Sequence, residues 1–317
     1  MPKYVFGPVR SRRLGLSLGV NNIPYKHCSY SCIYCQLGAT RSKVVERREF
    51  YDWREVAGEV VKAASRVEVD YVTFVPDGEP TLDANLGREI EFIKRECSVR
   101  VAVITNSSLL YREDVRGDLL NADLVSLKID SCIASVYRRI NRPHEKLVLE
   151  KVLEGIMLFT DEFDGVVLTE TMLVEGVNTS VENAVATGEF IAKLKPSKAY
   201  VSVPVRPPCE SWVRPPSPES LLEYYMVFKS KSRCSVEILS SLEPPPRDTG
   251  FMNPRDYILS TISVHPLNLE YARRILESKG YDADEVLKEL VESGLVKIID
   301  YGGSSFLVRV FKGKFLK

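Results

Sequence analysis

Short runs of β-forming residues alternate with longer amphipathic runs from Gly15 to about Ser240, the pattern of a parallel sheet with crossover helices. Some strand runs, such as Val101 to Ile104, are almost entirely apolar, as expected where both faces of a sheet are covered. The predicted strands are Leu16 to Asn21, Asp70 to Val75, Arg100 to Thr105, Leu124 to Ile129, Gly165 to Leu173 and Lys198 to Val203. The predicted helices are Trp53 to Arg66, Leu86 to Cys97, Arg112 to Leu120, Glu145 to Thr160, Val181 to Leu194 and Pro218 to Lys231. Six such units predict an α/β fold, a partial (β/α)6 barrel like part of a TIM barrel.

The proline-rich run from Glu243 to Gly250 suits neither a helix nor a central strand, and it predicts an extended linker. We therefore divide the chain into a core over residues 1–240, a linker over 241–253 and a small domain over 254–317. In the small domain the pattern predicts three helices and then a β-hairpin, at Pro254 to Ser263, Asn268 to Ser278, Ala283 to Ser293, Val296 to Asp300 and Phe306 to Phe311.

This order resembles a winged helix, an α+β domain that often binds duplex DNA. The third helix, which would enter the groove, carries five acidic residues against Lys288: Asp282, Asp284, Glu285, Glu289 and Glu292. DNA phosphates would repel that surface, so duplex DNA is not an expected partner.

Composition narrows the class of protein. The 317 residues are 44% hydrophobic, and no apolar run approaches the roughly 20 residues of a membrane span. The N-terminus lacks the apolar stretch of a signal peptide, so we expect a cytoplasmic protein without a membrane partner.

Formal charge is zero overall, yet residues 1–48 carry nine Lys and Arg against Glu46 alone. Such a basic segment is either a solvated face or an attractor for an anionic substrate, such as RNA or another phosphate-bearing molecule.

Three of the seven cysteines, Cys28, Cys32 and Cys35, form a C-x3-C-x2-C run directly after the first predicted strand. Three thiolates on a tight loop can hold three irons of a cubane, which leaves the fourth iron open to bind a cofactor. A structural zinc knuckle with His27 as the fourth ligand is the alternative, although His27 and Cys28 would chelate one ion awkwardly. The other four cysteines are scattered and could form an auxiliary site only by folding together.

The cysteine run, with Tyr34 before its third cysteine, resembles the motif of radical S-adenosylmethionine (SAM) enzymes, and the resemblance covers roughly residues 7–240. It implies one 4Fe-4S cluster bound by the three cysteines, with SAM on the open iron. A reductant such as ferredoxin or flavodoxin would supply the electron, and a 5′-deoxyadenosyl radical would abstract hydrogen from a substrate.

A second segment, Asp77-Gly78-Glu79-Pro80, is similar to the family's Gly-Gly-Glu-Pro turn, with Asp77 in place of the first glycine. The resemblance implies that it binds the ammonium of the cofactor. A carbonyl and a carboxylate at a turn opened by glycine suit a cation, and Pro80 fixes the turn.

Polar residues end the third and fourth predicted strands. By resemblance, Asn106, Ser126 and Lys128 bind the ribose and the carboxylate of the cofactor, and Lys128 with Asp130 are the candidate catalytic residues. Alternation puts Ser126, Lys128 and Asp130 on one side of the strand. A Lys128 to Asp130 ion pair that closes the barrel is the structural alternative. Val174, within the segment from Leu173 to Asn178, resembles the part that contacts adenine, although this segment is also ordinary helix-cap chemistry.

The segments Gly7 to Gly15 and Asn141 to His144 resemble the branch that contains the tRNA wyosine synthases. Those enzymes use a second cluster with cysteines upstream of the radical motif, and this chain has no cysteine before Cys28. The possible substrates are therefore an RNA base held by the basic N-terminal segment, or a peptide or protein captured by the small domain. A non-catalytic iron-sulfur or zinc protein is the third alternative.

Overall fold

A computed structural model describes residues 3–242 and 252–310, and its strands and helices follow the predicted alternation. The strands are β1 (Val5–Ser11), β2 (Gly15–Val20), β3 (His27–Cys28), β4 (Ser42–Lys43), β5 (Tyr71–Phe74), β6 (Arg100–Thr105), β7 (Leu124–Lys128), β8 (Val166–Met172), β9 (Lys198–Ser202), β10 (Val236–Leu239), β11 (Leu267–Asn268), β12 (Val296–Tyr301) and β13 (Ser304–Arg309). The α-helices are α1 (Trp53–Ala64), α2 (Leu86–Glu96), α3 (Glu113–Leu119), α4 (Ala134–Asn141), α5 (Leu149–Glu162), α6 (Val181–Leu194), α7 (Pro218–Ser232), α8 (Pro254–Val264), α9 (Leu269–Glu277) and α10 (Ala283–Glu292).

The main sheet has eight strands in the order β1-β2-β5-β6-β7-β8-β9-β10. All neighbours from β2 to β10 are parallel, whereas β1 pairs with β2 as an antiparallel edge. The six predicted strands are all present. The prediction omitted β1 and β10, omitted the short helix α4, and began α5 four residues too early.

The two faces of this sheet have separate cores. Val125 and Leu127 of β7 pack in the large cluster that the helices share, whereas Leu124 packs in a smaller cluster with Leu168 and Tyr200. This alternation fixes the inner face of the barrel. Further along the same face the residues become polar and reach Ser126 and Lys128, so the polar groups collect toward the carboxyl ends of the strands.

The small domain has its own core and the predicted order of three helices and a hairpin, with the short strand β11 added between α8 and α9. Its sheet has the order β11-β13-β12. Hydrogen bonds join it to the barrel: Tyr257 donates to the carbonyl of Pro8 at 3.1 Å, Tyr301 to that of Pro204 at 3.2 Å, and Arg206 Nε to that of Pro266 at 3.1 Å. The linker prediction lies largely outside the described residues, as does the predicted end of the hairpin at Phe311. Within the described ranges, no helix combines the length and apolarity that crossing a bilayer requires.

Candidate active site

The three cysteines lie in a loop segment that follows β2 and is hydrogen-bonded to α4. The backbone N–H of Ile33 donates to the carbonyl of Ile140 at 3.0 Å, and that of Ser31 donates to the carbonyl of Asn141 at 3.0 Å. Helix α4 was not predicted, yet its C-terminal end supports the loop between Cys28 and Cys35. The loop is therefore a fixed part of the barrel top.

Each cysteine sulfur has a side-chain nitrogen donor within hydrogen-bonding distance. Lys26 Nζ lies 3.1 Å from Cys35 Sγ, Asn106 Nδ2 lies 3.5 Å from Cys28 Sγ, and Asn141 Nδ2 lies 3.5 Å from Cys32 Sγ. Sequence reasoning missed Lys26 and Asn141 as site residues. Lys26 is almost fully buried, which is unusual for a lysine and marks it only once the fold is known.

Burial raises the pKa of the Cys28 thiol to about 11 and that of the Cys32 thiol to about 12. The protein alone therefore keeps these two thiols neutral. Within residues 3–242 and 252–310, no three or more His, Cys, Asp or Glu side chains are already grouped to hold a metal ion. His27 is engaged elsewhere: its Nε2 lies 3.3 Å from Arg48 Nη2, and its ring packs against Phe50.

The Asp77 to Pro80 turn is joined to the cysteine loop through its backbone. The N–H of Glu79 donates to the carbonyl of His27 at 3.0 Å, and the N–H of Lys26 donates to the carbonyl of Asp77 at 3.0 Å. A Cβ on Gly78 would lie 1.8 Å from the carbonyl oxygen of His27, so only glycine allows this approach. Pro80 begins a short 3₁₀ helix, Pro80–Leu82, as its fixed φ permits.

Both carboxylates of the turn are buried, in different surroundings. The oxygens of Glu79 accept hydrogen bonds from Thr105, from Thr81 and from the backbone N–H of Asn106 at 2.5 to 3.2 Å. Glu79 thus ties the loop after β5 to the loop after β6. For Asp77, Oδ1 finds no hydrogen-bond partner among the described residues, and burial raises its pKa to about 7.

Lys128 pairs with Glu170 on the next strand, at 3.1 Å between Nζ and Oε1, rather than with Asp130. The two residues are register partners across β7 and β8, which explains the pairing. Arg13 makes a second ion pair with Glu170. Although burial favours the neutral acid, Arg13 and Lys128 together hold the pKa of Glu170 well below its usual range. Sequence reasoning missed Arg13 and Glu170, because only the folded sheet brings them to Lys128.

Asp130 lies just beyond the end of β7 and is 3% exposed. Its carboxylate accepts hydrogen bonds from Tyr34 Oη, from Asn141 Nδ2 at 2.7 Å and from the backbone N–H of Met172 at 2.8 Å. Through these bonds Asp130 joins the cysteine loop, the end of α4 and β8. Burial raises the pKa of Asp130, while these donors and Lys128 oppose the rise.

Two further candidates are also buried. The hydroxyl of Ser126 has no hydrogen-bond partner within the described part of the chain. Val174 packs with Ile33 of the cysteine loop and with Ile140 of α4 in a small apolar cluster. Val174 thus supports the loop from beneath, and its side chain contacts other apolar residues.

A cavity of about 380 Å³ opens at this end of the barrel. Its lining includes seven of the candidates: Cys28, Tyr34, Cys35, Gly78, Glu79, Asn106 and Lys128. The other candidates do not line it: Cys32, Asp77, Pro80, Ser126, Asp130 and Val174. Residues of α8, of α9 and of the segment between them complete the wall, among them Tyr257, His265 and Tyr271.

A partial parallel barrel with a three-cysteine loop at its mouth defines a class of enzyme, and comparison with known families agrees. Residues 22–187 match the model of the radical SAM superfamily, and the chain belongs to that superfamily. It is therefore an enzyme that uses SAM and a 4Fe-4S cluster.

Curated proteins resemble this chain over most of its length. Over 316 residues the chain is 41% identical to UPF0026 protein MJ1312 of Methanocaldococcus jannaschii, covering 98% of this chain and 97% of the relative. It is 32% identical to a UPF0026 protein of Helicobacter pylori strain J99, covering 89% and 91% of the two chains.

Two solved structures share the fold at low identity. A radical SAM methyltransferase from Sphaerobacter thermophilus superposes with a TM-score of 0.51 at 15% identity, over 71% of this chain and 66% of that one. SuiB of Streptococcus suis gives 0.52 at 13% identity, over 68% and 47%. At these identities the likeness concerns the fold.

Proposed function

We propose that Cys28, Cys32 and Cys35 bind the 4Fe-4S cluster and that the enzyme reductively cleaves SAM to a 5′-deoxyadenosyl radical. One observation carries the proposal: the Gly78 turn packs directly on the carbonyl of His27, beside Cys28. The segment that resembles the cofactor turn and the segment that resembles the cluster loop therefore form one rigid unit.

The residues present fit an iron-sulfur cluster. Burial keeps the Cys28 and Cys32 thiols neutral, so their ionisation would come from the iron, which deprotonates coordinating thiols. The N–H donors of Lys26, Asn106 and Asn141 already face the three sulfurs. Hydrogen bonds to cluster sulfurs adjust the reduction potential, and these donors supply them.

When bound, the cluster delivers one electron from a reductant, such as ferredoxin or flavodoxin, to the sulfonium of SAM. The chain's own residues bind and orient. Because the oxygens of Glu79 are occupied, its carboxylate fixes the turn, and the backbone carbonyl of Gly78, which accepts no backbone hydrogen bond among the described residues, is the group available to an ammonium. Asn106 and Lys128 line the cavity and would hold polar groups of SAM.

Of the other candidates, Ser126 lies outside the cavity lining, so no contact between its buried hydroxyl and SAM is proposed. Asp130 and Tyr34 act together as positioning residues for the loop, since their hydrogen bond fixes the aromatic ring next to Cys35. Asp77 and Pro80 shape the turn. Val174 acts from beneath the loop, through Ile33.

The test is anaerobic reconstitution with iron and sulfide, followed by dithionite and SAM. We expect about four irons and four sulfides per chain, an EPR spectrum that changes on addition of SAM, and formation of 5′-deoxyadenosine. Cys28→Ala, Cys32→Ala and Cys35→Ala each lose all three signals, whereas Cys97→Ala, at the end of α2, keeps them. A wild-type protein that retains zinc, or that holds a cluster and forms no 5′-deoxyadenosine, would contradict the proposal and favour a binding protein.

A further inference from the structure

The cavity above the cysteine loop is lined by an excess of positive charge. Five Lys and Arg residues face two carboxylates there: Arg10, Arg12, Arg13, Lys128 and Arg206 against Glu79 and Glu170. A cleft lined by one sign of charge with low-dielectric walls concentrates the field and attracts ions of the opposite sign.

Both carboxylates already have partners within the protein. Glu170 is shared between Arg13 and Lys128, so this trio keeps a positive charge in a largely buried place. Glu79 is surrounded by hydroxyl and backbone donors. The exposed Arg10 lies on β1, and its side chain has no ion-pair or hydrogen-bond partner among the described residues. The positive charge of Arg10 and that of the trio are therefore available to a ligand, and together they exceed the one negative charge of Glu79.

The small domain forms the opposite wall of the same cavity. Tyr257 and Thr261 of α8, His265 after it and Tyr271 of α9 line the space that Cys28 and Cys35 also line. The Thr261 hydroxyl is buried and has no hydrogen-bond partner in residues 3–242 and 252–310. The domain is held there by Tyr257 and Tyr301, which donate to carbonyls of the barrel.

We propose that the substrate is a small organic anion, bearing a carboxylate or a phosphate, that binds between the cysteine loop and the small domain. Arg10 and Arg13 are its counter-charges, and the small domain is the wall that encloses it. The place of the reaction in this cavity rests on the proposed function, whereas anion binding itself requires no cluster.

The experiment measures binding of two probes, inorganic phosphate and malonate, by calorimetry on the full chain, both without cluster or SAM and with SAM at saturation. We expect saturable binding of at least one probe in both states. Arg10→Gln weakens it roughly 10-fold, because a hydrogen-bonded charge pair is lost. The control Arg54→Gln, at an exposed cation of α1 that does not line the cavity, leaves the binding unchanged. The preference between the two probes distinguishes a phosphate ligand from a carboxylate ligand.

Arg10 is exposed, so its variant is expected to fold. Arg13→Gln leaves Glu170 paired with Lys128 and removes the net positive charge of the trio, and it provides a second measurement in which weaker binding is again expected. The proposal is overturned if neither probe binds saturably, or if Arg54→Gln weakens binding as much as Arg10→Gln does. Displacement of the probes by SAM would also overturn it, because the cations would then belong to the cofactor's carboxylate. The fourth contrary result is tight, salt-sensitive binding of a tRNA transcript without binding of the probes. Formation of 5′-deoxyadenosine by the wild type is scored separately, and its absence refutes the proposed function while the binding result stands.

Discussion

Gly78→Ala tests whether the cysteine loop and the cofactor turn must touch. An added Cβ would lie 1.8 Å from the carbonyl oxygen of His27 and 2.9 Å from Cγ2 of Ile23. Ordinary contact begins near 3.4 Å, so the turn and the cysteine loop must separate by about 1.6 Å. The obstructing atom is backbone, which cannot move aside as the end of a side chain would.

The cost has two parts. Overpacking of a tight contact destabilises a protein by about 1 to 3 kcal/mol. Separation also breaks the hydrogen bond from the N–H of Glu79 to His27, and an unsatisfied buried donor costs about 1 to 3 kcal/mol more. We expect a larger effect on the reaction rate than on stability, because a displacement of about 1 Å between reacting groups can lower a rate roughly 100-fold.

The assay compares Gly78→Ala with Gly58→Ala, which lies on an exposed position of α1 with no atom within 4 Å of the new Cβ. We expect Gly58→Ala to keep wild-type activity and to gain up to about 1 kcal/mol of stability, as alanine does in helices. We expect Gly78→Ala to lower the melting temperature and to reduce 5′-deoxyadenosine formation at least 100-fold. A Gly78→Ala enzyme within threefold of wild-type activity would refute the claim that this contact fixes the site.

Two further substitutions test buried carboxylates. Burial raises the pKa of Asp77 from an unfolded value near 4 to about 7, so the folded state favours its protonated form; stability is full below pH 4 and falls as pH rises toward 7. Asp77→Asn should therefore flatten the pH dependence of the unfolding free energy between pH 4 and 7, by up to about 4 kcal/mol, and an unchanged slope would contradict this. Asp130→Asn replaces an acceptor of three hydrogen bonds by a group that must turn one N–H toward a donor. We expect a loss of about 1 to 3 kcal/mol in stability and faster loss of iron from the reconstituted protein, and iron retention equal to wild type would count against the positioning role of Asp130.

The strands of the barrel were predictable because both of their faces are covered, which leaves nearly continuous apolar runs such as Val101 to Ile104. Two strands lacked that signal. Gly7 and Pro8 interrupt β1, and β10 has only four residues after α7.

Seven of the thirteen candidate residues line the cavity, and the pairing of their side chains was not predictable from the sequence. Alternation along β7 correctly predicts Ser126 and Lys128 on the inner face, but the strand ends at Lys128, so the rule no longer holds for Asp130. Glu170 becomes the partner of Lys128 through strand register, which the separate runs of the sequence do not specify. Arg13 reaches the same carboxylate from the β1-β2 hairpin.

The difference between Asp77 and the family's glycine has a physical explanation in the same contact. Neither residue 77 nor residue 78 has a positive φ, so the turn does not require glycine for its conformation. What it requires is space, and only at position 78, where the backbone of His27 lies against the α-carbon. The carbonyl of Asp77 receives the N–H of Lys26 while its side chain turns into a buried site outside the cavity. An aspartate is therefore tolerated at the first position, at the cost of a raised pKa, whereas the second position must remain glycine for Lys26 and Cys28 to stay beside the turn.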